Sequence, residues 1–204
     1  MRYWWLVILV LICNLSNAQI KIDVTKYKNK GETKLVINSN LIKINWPAGN
    51  KQSGELLIDM EANKPLFRSI SLIKNNISKQ IAKELDPAFV LTVGKRDLIS
   101  QNGWNIFFDK TNKKPNTSHA ISLTKKGVLV KTIGSRTILI ISELNTPTFS
   151  GNLELTLYNG SPLFNVAAVV STEIDSTAIL YDACLLYTSP SPRDRTRSRM
   201  PSSA

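Results

Sequence analysis

The 204-residue chain has few of the side chains that build metal sites and covalent cross-links. It contains two cysteines, Cys13 and Cys184, and one histidine, His119. A usual zinc site needs three or four nitrogen and sulfur ligands. A calcium site needs several converging carboxylates, and their Asp-x-Asp or Asp-x-Asn spacing is missing here. Glycine-rich phosphate loops and the nucleophile-elbow motif are missing too. The sequence therefore predicts no metal and no cofactor.

Long hydrophobic runs are missing except at the start of the chain. A basic Arg2 precedes an apolar run over residues 4–13, and Ser16-Asn17-Ala18 forms a small-x-small cleavage signal. This pattern predicts a secretory signal peptide over residues 1–18, cleaved after Ala18. Ten apolar residues are about half of the roughly 20 that a membrane-spanning helix needs. The large Ile12 before Cys13 argues against a lipoprotein. We expect a secreted or periplasmic protein that meets the membrane only during export.

The composition changes abruptly over the last 21 residues, Cys184–Ala204. Serine, proline and arginine dominate there, which is typical of a disordered tail. Residues 184–194 back-translate without a gap to a DNA sequence that resembles a transposase-type library adapter, and residues 198–204 resemble its far end in the same frame. We therefore predict that residues 184–204 are an artefact, to be excluded from fold reasoning. We also expect the native protein to continue beyond Ala183.

The excess of basic residues is smaller without the two ends. The sequence has 26 Lys and Arg and 15 Asp and Glu, a net charge of +11. Without Arg2 and the four arginines and one aspartate of the tail, 21 basic and 14 acidic residues leave +7. Scattered lysines are typical of a solvated surface. The alternative is attraction to an acidic partner, and export then favours a polyanionic glycan or envelope phosphate over nucleic acid.

Residues 19–183 predict one all-β domain, an antiparallel β-sandwich without disulfides. Apolar residues recur at every second position, as in Ile42, Ile44 and Trp46, and this period is typical of half-buried strands. Because Trp46 continues this register, we expect it in the core. Many short strands separated by turn signals favour a sandwich. The turn signals include Pro47–Asn50, Lys126-Gly127, Gly134-Ser135, Ser150–Asn152 and Asn159–Pro162.

We predict at most one short helix besides the signal peptide, because only one stretch of the sequence has a helical pattern. Ile77, Ile81 and Leu85 are four residues apart, as on one helix face, and Asn76 is a possible cap. Pro87 would end such a helix soon afterwards. A strand over residues 80–85 is the alternative.

The densest polar cluster follows the strand predicted to end at Val93. If that strand and the next one form a hairpin, Arg96, Asp97 and Asp109 gather near one end of the sheet. Two carboxylates placed in this way can act as general acid and base on a glycosidic bond, so Asp97 and Asp109 are candidate catalytic residues. The alternative is that Arg96 and Asp97 bond to each other and to turn amides.

Two further residues are candidates for contact with a ligand or substrate. Trp104 follows Asn-Gly at the start of a predicted strand, where its ring could stack on a sugar, with Arg96 as a second contact. Core packing is the alternative for Trp104. His119 lies just before a predicted strand and is the third catalytic candidate, with a capping or surface role as its alternative.

Several segments carry a resemblance to exported bacterial proteins. They are Tyr158–Phe164, Val169–Thr172 and Leu180–Ala183, and the stretch from Asp86 to Asp109 fits the same pattern. They resemble the sugar-processing sandwich domains called supersandwiches. The Lys/Asn/Ile-rich composition and the Asn-Ala-Gln junction are similar to those of proteins exported by Bacteroidota.

The resemblance implies that this is the N-terminal β-sandwich of an exported carbohydrate-active protein. A glycoside hydrolase or a polysaccharide lyase is the implied type, with most catalytic groups beyond residue 183 and the chain alone inactive. A polysaccharide, acidic if the charge matters, is the implied partner. Two alternatives stay open, a non-catalytic glycan-binding or adhesion module and a structural envelope protein.

Overall fold

The computed structural model describes residues 20–29, 33–95 and 115–187. Over these ranges it contains twelve strands in two sheets and no helix, which confirms the predicted all-β antiparallel sandwich. The strands are β1 Lys21–Lys26, β2 Lys34–Asn38, β3 Leu41–Gly49, β4 Gln52–Asp59, β5 Phe67–Lys74, β6 Ile77–Lys95, β7 Asn116–Ala120, β8 Ser122–Ile133, β9 Arg136–Asn145, β10 Ser150–Tyr158, β11 Phe164–Ser171 and β12 Thr177–Tyr187.

The two sheets are built mainly from strands that follow each other along the chain. The five-stranded sheet has the order β1-β8-β9-β10-β11, and the seven-stranded sheet has the order β12-β6-β5-β4-β3-β2, with β7 also paired to β6. The strand pairs are antiparallel except for β1 and β8, which are parallel, with Lys21 opposite Gly127. The alternating apolar residues face each other between the sheets and form one core.

Among the residues that the structure describes, Trp46 is the largest fully buried side chain, and it joins the two sheets. It lies on β3, and its ring meets Phe164 of β11 edge to face, with centroids 6.2 Å apart. Its indole Nε1 donates a hydrogen bond of 2.9 Å to the carbonyl oxygen of Ser161. Opposite Trp46 on β4 is Gly54, and a Cβ added there would overlap the indole ring. The prediction that Trp46 is a core residue is confirmed.

The helix predicted around residues 77–85 is wrong, because these residues belong to the 19-residue strand β6. Asn75 and Asn76 both have positive φ, 50° and 60°, and form the two-residue turn between β5 and β6. A spacing of four residues fits a strand period of two as well as it fits a helix. Ile81 is 64% exposed whereas Leu85 is 1% exposed, because β6 changes its buried face near Glu84, which has a φ of 53°.

Three of the predicted turns lie wholly or partly inside strands. The segment from Pro47 to Gly49 ends β3, Gly127 belongs to β8, and the segment from Ser150 to Asn152 begins β10. At Gly127 a Cβ would come within 2.9 Å of the Lys21 carbonyl oxygen, so this glycine allows β1 to approach closely. The turn at Gly134-Ser135 between β8 and β9 is confirmed.

The boundary predicted between Ala183 and Cys184 falls within β12. That strand pairs with β6 from Thr177 to Tyr187, so the first four residues of the predicted tail continue an edge strand instead of lying unpaired. Cys184, Leu185 and Leu186 are exposed. Residues 1–19 and 188–204 lie outside the described residues, and our interpretations of both ends stay predictions.

A second link between the sheets is polar. The loop over residues 60–66 joins β4 to β5, and Lys125 of β8 reaches into it from the other sheet. Its Nζ donates hydrogen bonds of 3.0 Å each to the carbonyl oxygens of Asp59 and Glu61, and a third to that of Lys64. Three acceptors match the three protons of an ammonium group. Burial lowers the pKa of Lys125, and the charges of Asp86, Asp59 and Glu61 offset part of that lowering.

Asp59, at the end of β4, also hydrogen-bonds to this loop. The residue is 2% exposed. Its carboxylate accepts a hydrogen bond of 3.0 Å from the Glu61 amide and one of 3.1 Å from Arg68 Nη1. Asp86 of β6 accepts a 2.7 Å bond from the Leu66 amide. The carboxylates of Asp59 and Asp86 are thus both hydrogen-bonded to the loop that Lys125 enters.

The contact between Trp46 and Gly54 predicts the effect of a single methyl group. We expect Gly54→Ala to lower the free energy of unfolding by about 1–3 kcal/mol, because the indole must move within a packed core. Gly94→Ala is the control, since a Cβ there meets its nearest atoms at 3.5 and 3.7 Å. Urea unfolding measures both, and equal losses would contradict the packing described here.

Two residues of β6 that a helix would place on one face should differ in their contribution to stability. We expect Ile81→Ala to change the free energy of unfolding by no more than about 0.5 kcal/mol, because the side chain is mostly exposed. Leu85→Ala should cost about 2–5 kcal/mol through the cavity it leaves. Thermal or urea unfolding of the two variants distinguishes the structures, and similar losses would support the helix.

Adjacent lysines give a matched test of the polar link. We expect Lys125→Met to lower the free energy of unfolding by about 1–3 kcal/mol, because three loop carbonyl oxygens lose their donor. Lys126→Met removes an exposed ion pair with Glu143 and should change it much less. Chemical unfolding compares the two, and an equal effect would show that Lys125 does not fasten the sheets.

Candidate functional site

Four of the residues predicted for the site lie outside the described residues. Arg96, Asp97, Trp104 and Asp109 belong to the stretch 96–114, between the end of β6 and Pro115. The predicted catalytic roles of Asp97 and Asp109, and the ligand contacts of Trp104 and Arg96, therefore stay predictions.

His119 is the one predicted site residue that the structure places. It lies in β7 opposite Leu91 of β6, and its Nε2 is 3.1 Å from the hydroxyl oxygen of Thr117. This contact fits the alternative role of a surface or capping residue. Within the described ranges, no group of three or more His, Cys, Asp and Glu side chains is placed to bind a metal.

A pocket lies at one end of the sandwich, where two loops meet. One loop, residues 146–149, joins β9 to β10, and the other, residues 172–176, joins β11 to β12. The cavity between them, which we call the loop pocket, has a volume of about 340 Å³. Its lining consists of Thr146, Pro147, Thr148, Phe149, Ser150, Ser171, Thr172, Glu173 and Ile174. None of the site residues predicted from the sequence lines this pocket.

Threonine hydroxyls shape both loops of the pocket. Thr146 Oγ1 accepts a 2.9 Å hydrogen bond from the Phe149 amide, and the Thr146 amide donates one of 2.8 Å to the Phe149 carbonyl. In the second loop, Thr172 Oγ1 accepts a 3.2 Å bond from the Ile174 amide. Thr177 Oγ1 donates one of 2.8 Å to the Ile174 carbonyl. These short-range bonds hold the turns that Ser and Thr favour.

The wall of the pocket carries further hydroxyl groups. Ser150 and Ser171 are opposite each other where β10 begins and β11 ends. Both serines are exposed, so a molecule in the pocket can reach their hydroxyls. Thr148 Oγ1 is buried and is not accessible from the pocket, and no atom of the described residues is its hydrogen-bond partner. Ser150 and Ser171 are therefore the lining hydroxyls best placed to bind a ligand.

The remaining lining residues add one charge and an apolar patch. Glu173 is exposed, and of the nine lining side chains it is the only charged one. Phe149 is 7% exposed and forms part of the floor, and Ile174 is 54% exposed. The pocket can thus offer hydroxyl donors and acceptors, one carboxylate, and carbon surface to a small polar molecule.

Comparison with known proteins gives no relative from which a role of the loop pocket could be inferred. No protein-family model, no curated protein and no solved structure matches this chain. Among the residues that the structure describes, no helix has the length and apolar character needed to cross a membrane.

Proposed function

We propose that this chain is the β-sandwich portion of an exported carbohydrate-active protein and that the loop pocket binds a sugar. The observation that carries the proposal is a pocket between two loops that is lined mostly by serine and threonine, with Ser150 and Ser171 exposed. A sugar presents a dense set of hydroxyl groups that both donate and accept hydrogen bonds. Ser and Thr hydroxyls can answer either role.

The size and the apolar patch of the pocket support the same ligand class. Its volume of about 340 Å³ is near the lower end of the ~300–1,000 Å³ range of small-molecule pockets, which suits a single sugar ring or the end of a chain. Sugar rings also carry C–H groups on their faces. Phe149, Pro147 and Ile174 supply the carbon surface against which such groups pack.

We assign sugar binding to the part of the sandwich that the structure describes. Cleavage of a glycan depends on residues outside that part. Asp97 and Asp109 stay the candidates for a hydrolase or lyase activity of the longer protein. A glycan-binding or adhesion module would use the loop pocket in the same way. A structural envelope protein would have no ligand there, and a binding experiment distinguishes it from the other two.

Removal of one hydroxyl tests the proposal. We expect Ser171→Ala to weaken sugar binding about 2- to 10-fold, the effect of one lost hydrogen bond of ~0.5–1.5 kcal/mol. The free energy of unfolding without sugar should change by no more than about 0.5 kcal/mol, because Ser171 is exposed. A glycan array on the full chain identifies a ligand, and isothermal titration calorimetry measures its dissociation constant.

The matched control is Ser78→Ala, an exposed serine of β6 opposite Ile73 and outside the pocket lining. Its dissociation constant for the sugar should equal that of the unmodified chain. Failure of the unmodified chain to bind any glycan on the array would contradict the proposal. Equal affinity of the Ser171→Ala variant would place the sugar elsewhere.

A further inference from the structure

The electrostatics of the loop pocket differ from those of the chain as a whole. The sequence has a net charge of +11, yet the only charged residue in the pocket lining is Glu173. The loop that carries it, residues 172–176, also contains Asp175 and no basic residue, and the facing loop, residues 146–149, contains no charged side chain. A ligand in the pocket therefore meets negative charge.

We infer that the loop pocket selects an uncharged sugar with two adjacent hydroxyl groups and rejects the corresponding uronic acid. This inference rests on the proposed function. A carboxylate accepts hydrogen bonds through two oxygens and does not donate, so Glu173 can receive both hydroxyls of a vicinal pair. Hydrogen bonds to an ionised acceptor are also stronger than those between neutral groups.

The same carboxylate disfavours an acidic sugar. A uronate of about the same size would bring a second negative charge into a cavity of about 340 Å³. Two like charges about 4 Å apart repel each other even in water-like surroundings, and more strongly where water is partly displaced. The lining offers no lysine or arginine to neutralise that charge.

The hydroxyl groups around Glu173 complete the selection without adding charge. Thr172 Oγ1 already accepts the Ile174 amide proton, so its own proton remains available to donate. Ser150 and Ser171 are exposed at the paired ends of β10 and β11. Together these groups can bond to the ring oxygen and remaining hydroxyls of a neutral sugar.

The lysines elsewhere on the chain act separately from the pocket. An acidic polysaccharide attracted to them is held by exposed charges, and salt weakens such an attraction. Binding of that kind should be unchanged by Ser171→Ala. Measurements at about 0.15 M salt with single sugars, rather than polymers, therefore report on the pocket.

The experiment compares matched sugar pairs on the full chain. Methyl glucoside is paired with methyl glucuronide and methyl galactoside with methyl galacturonide, each titrated by NMR or calorimetry. We expect the unmodified chain to prefer the neutral member of at least one pair by about 5- to 10-fold. In Glu173→Gln the neutral sugar should bind several-fold more weakly and the uronide more tightly, so that the preference largely disappears.

Asp175→Asn is the matched control, because it removes the same charge from the same loop without touching the pocket lining. We expect it to keep the preference of the unmodified chain. Equal or tighter binding of the uronides to the unmodified chain would overturn the inference and leave the proposed function standing. An unchanged preference in Glu173→Gln would overturn the role of Glu173. Binding of no member of either pair would overturn this inference, and the glycan array decides the proposed function separately.

Discussion

The contact between Trp46 and Phe164 is the constraint on which the rest of the sandwich depends. It fixes β3 of one sheet against β11 of the other, with Phe67 of β5 also edge to face on Phe164, at a centroid distance of 6.1 Å. The indole needs the space that Gly54 leaves on β4. Its bond to Ser161 also fixes the turn between β10 and β11, and the far ends of these two strands carry the loops of the pocket.

The polar link at Lys125 complements this apolar contact. The aromatic cluster needs dry, close packing, whereas the ammonium of Lys125 needs three oriented carbonyl groups. A shift of one sheet along the other would break both at once. The relative position of the sheets is therefore fixed by two interactions of different physical nature, one governed by shape and the other by hydrogen-bond direction.

The sequence predicted the parts of the fold that follow from local periodicity. Ile42, Ile44 and Trp46 alternate, and they are buried as expected. The segment after Asn76 was predicted wrongly because a spacing of four residues fits both a helix and a strand. The turn at Asn75 and Asn76 decides in favour of the strand, but Asn76 was interpreted as a helix cap. The loop pocket could not be predicted in this way. Thr148 and Glu173 are distant in sequence and line the same pocket only because β10 and β11 pair along their full length.

The routes of the first and last strands have a mechanical consequence. Strands β2 to β6 form one meander and β8 to β11 another, and each resembles a unit that could separate from its neighbour. However, β1 crosses to the second meander, where Lys28 bonds to Thr132, 104 residues along the chain, and β12 returns to the first. Each meander is thus closed by a strand from the opposite end. This crossing of the two end strands interlocks the halves, and contacts so distant in sequence form late in folding. We therefore expect the two halves to fold and unfold as one cooperative body.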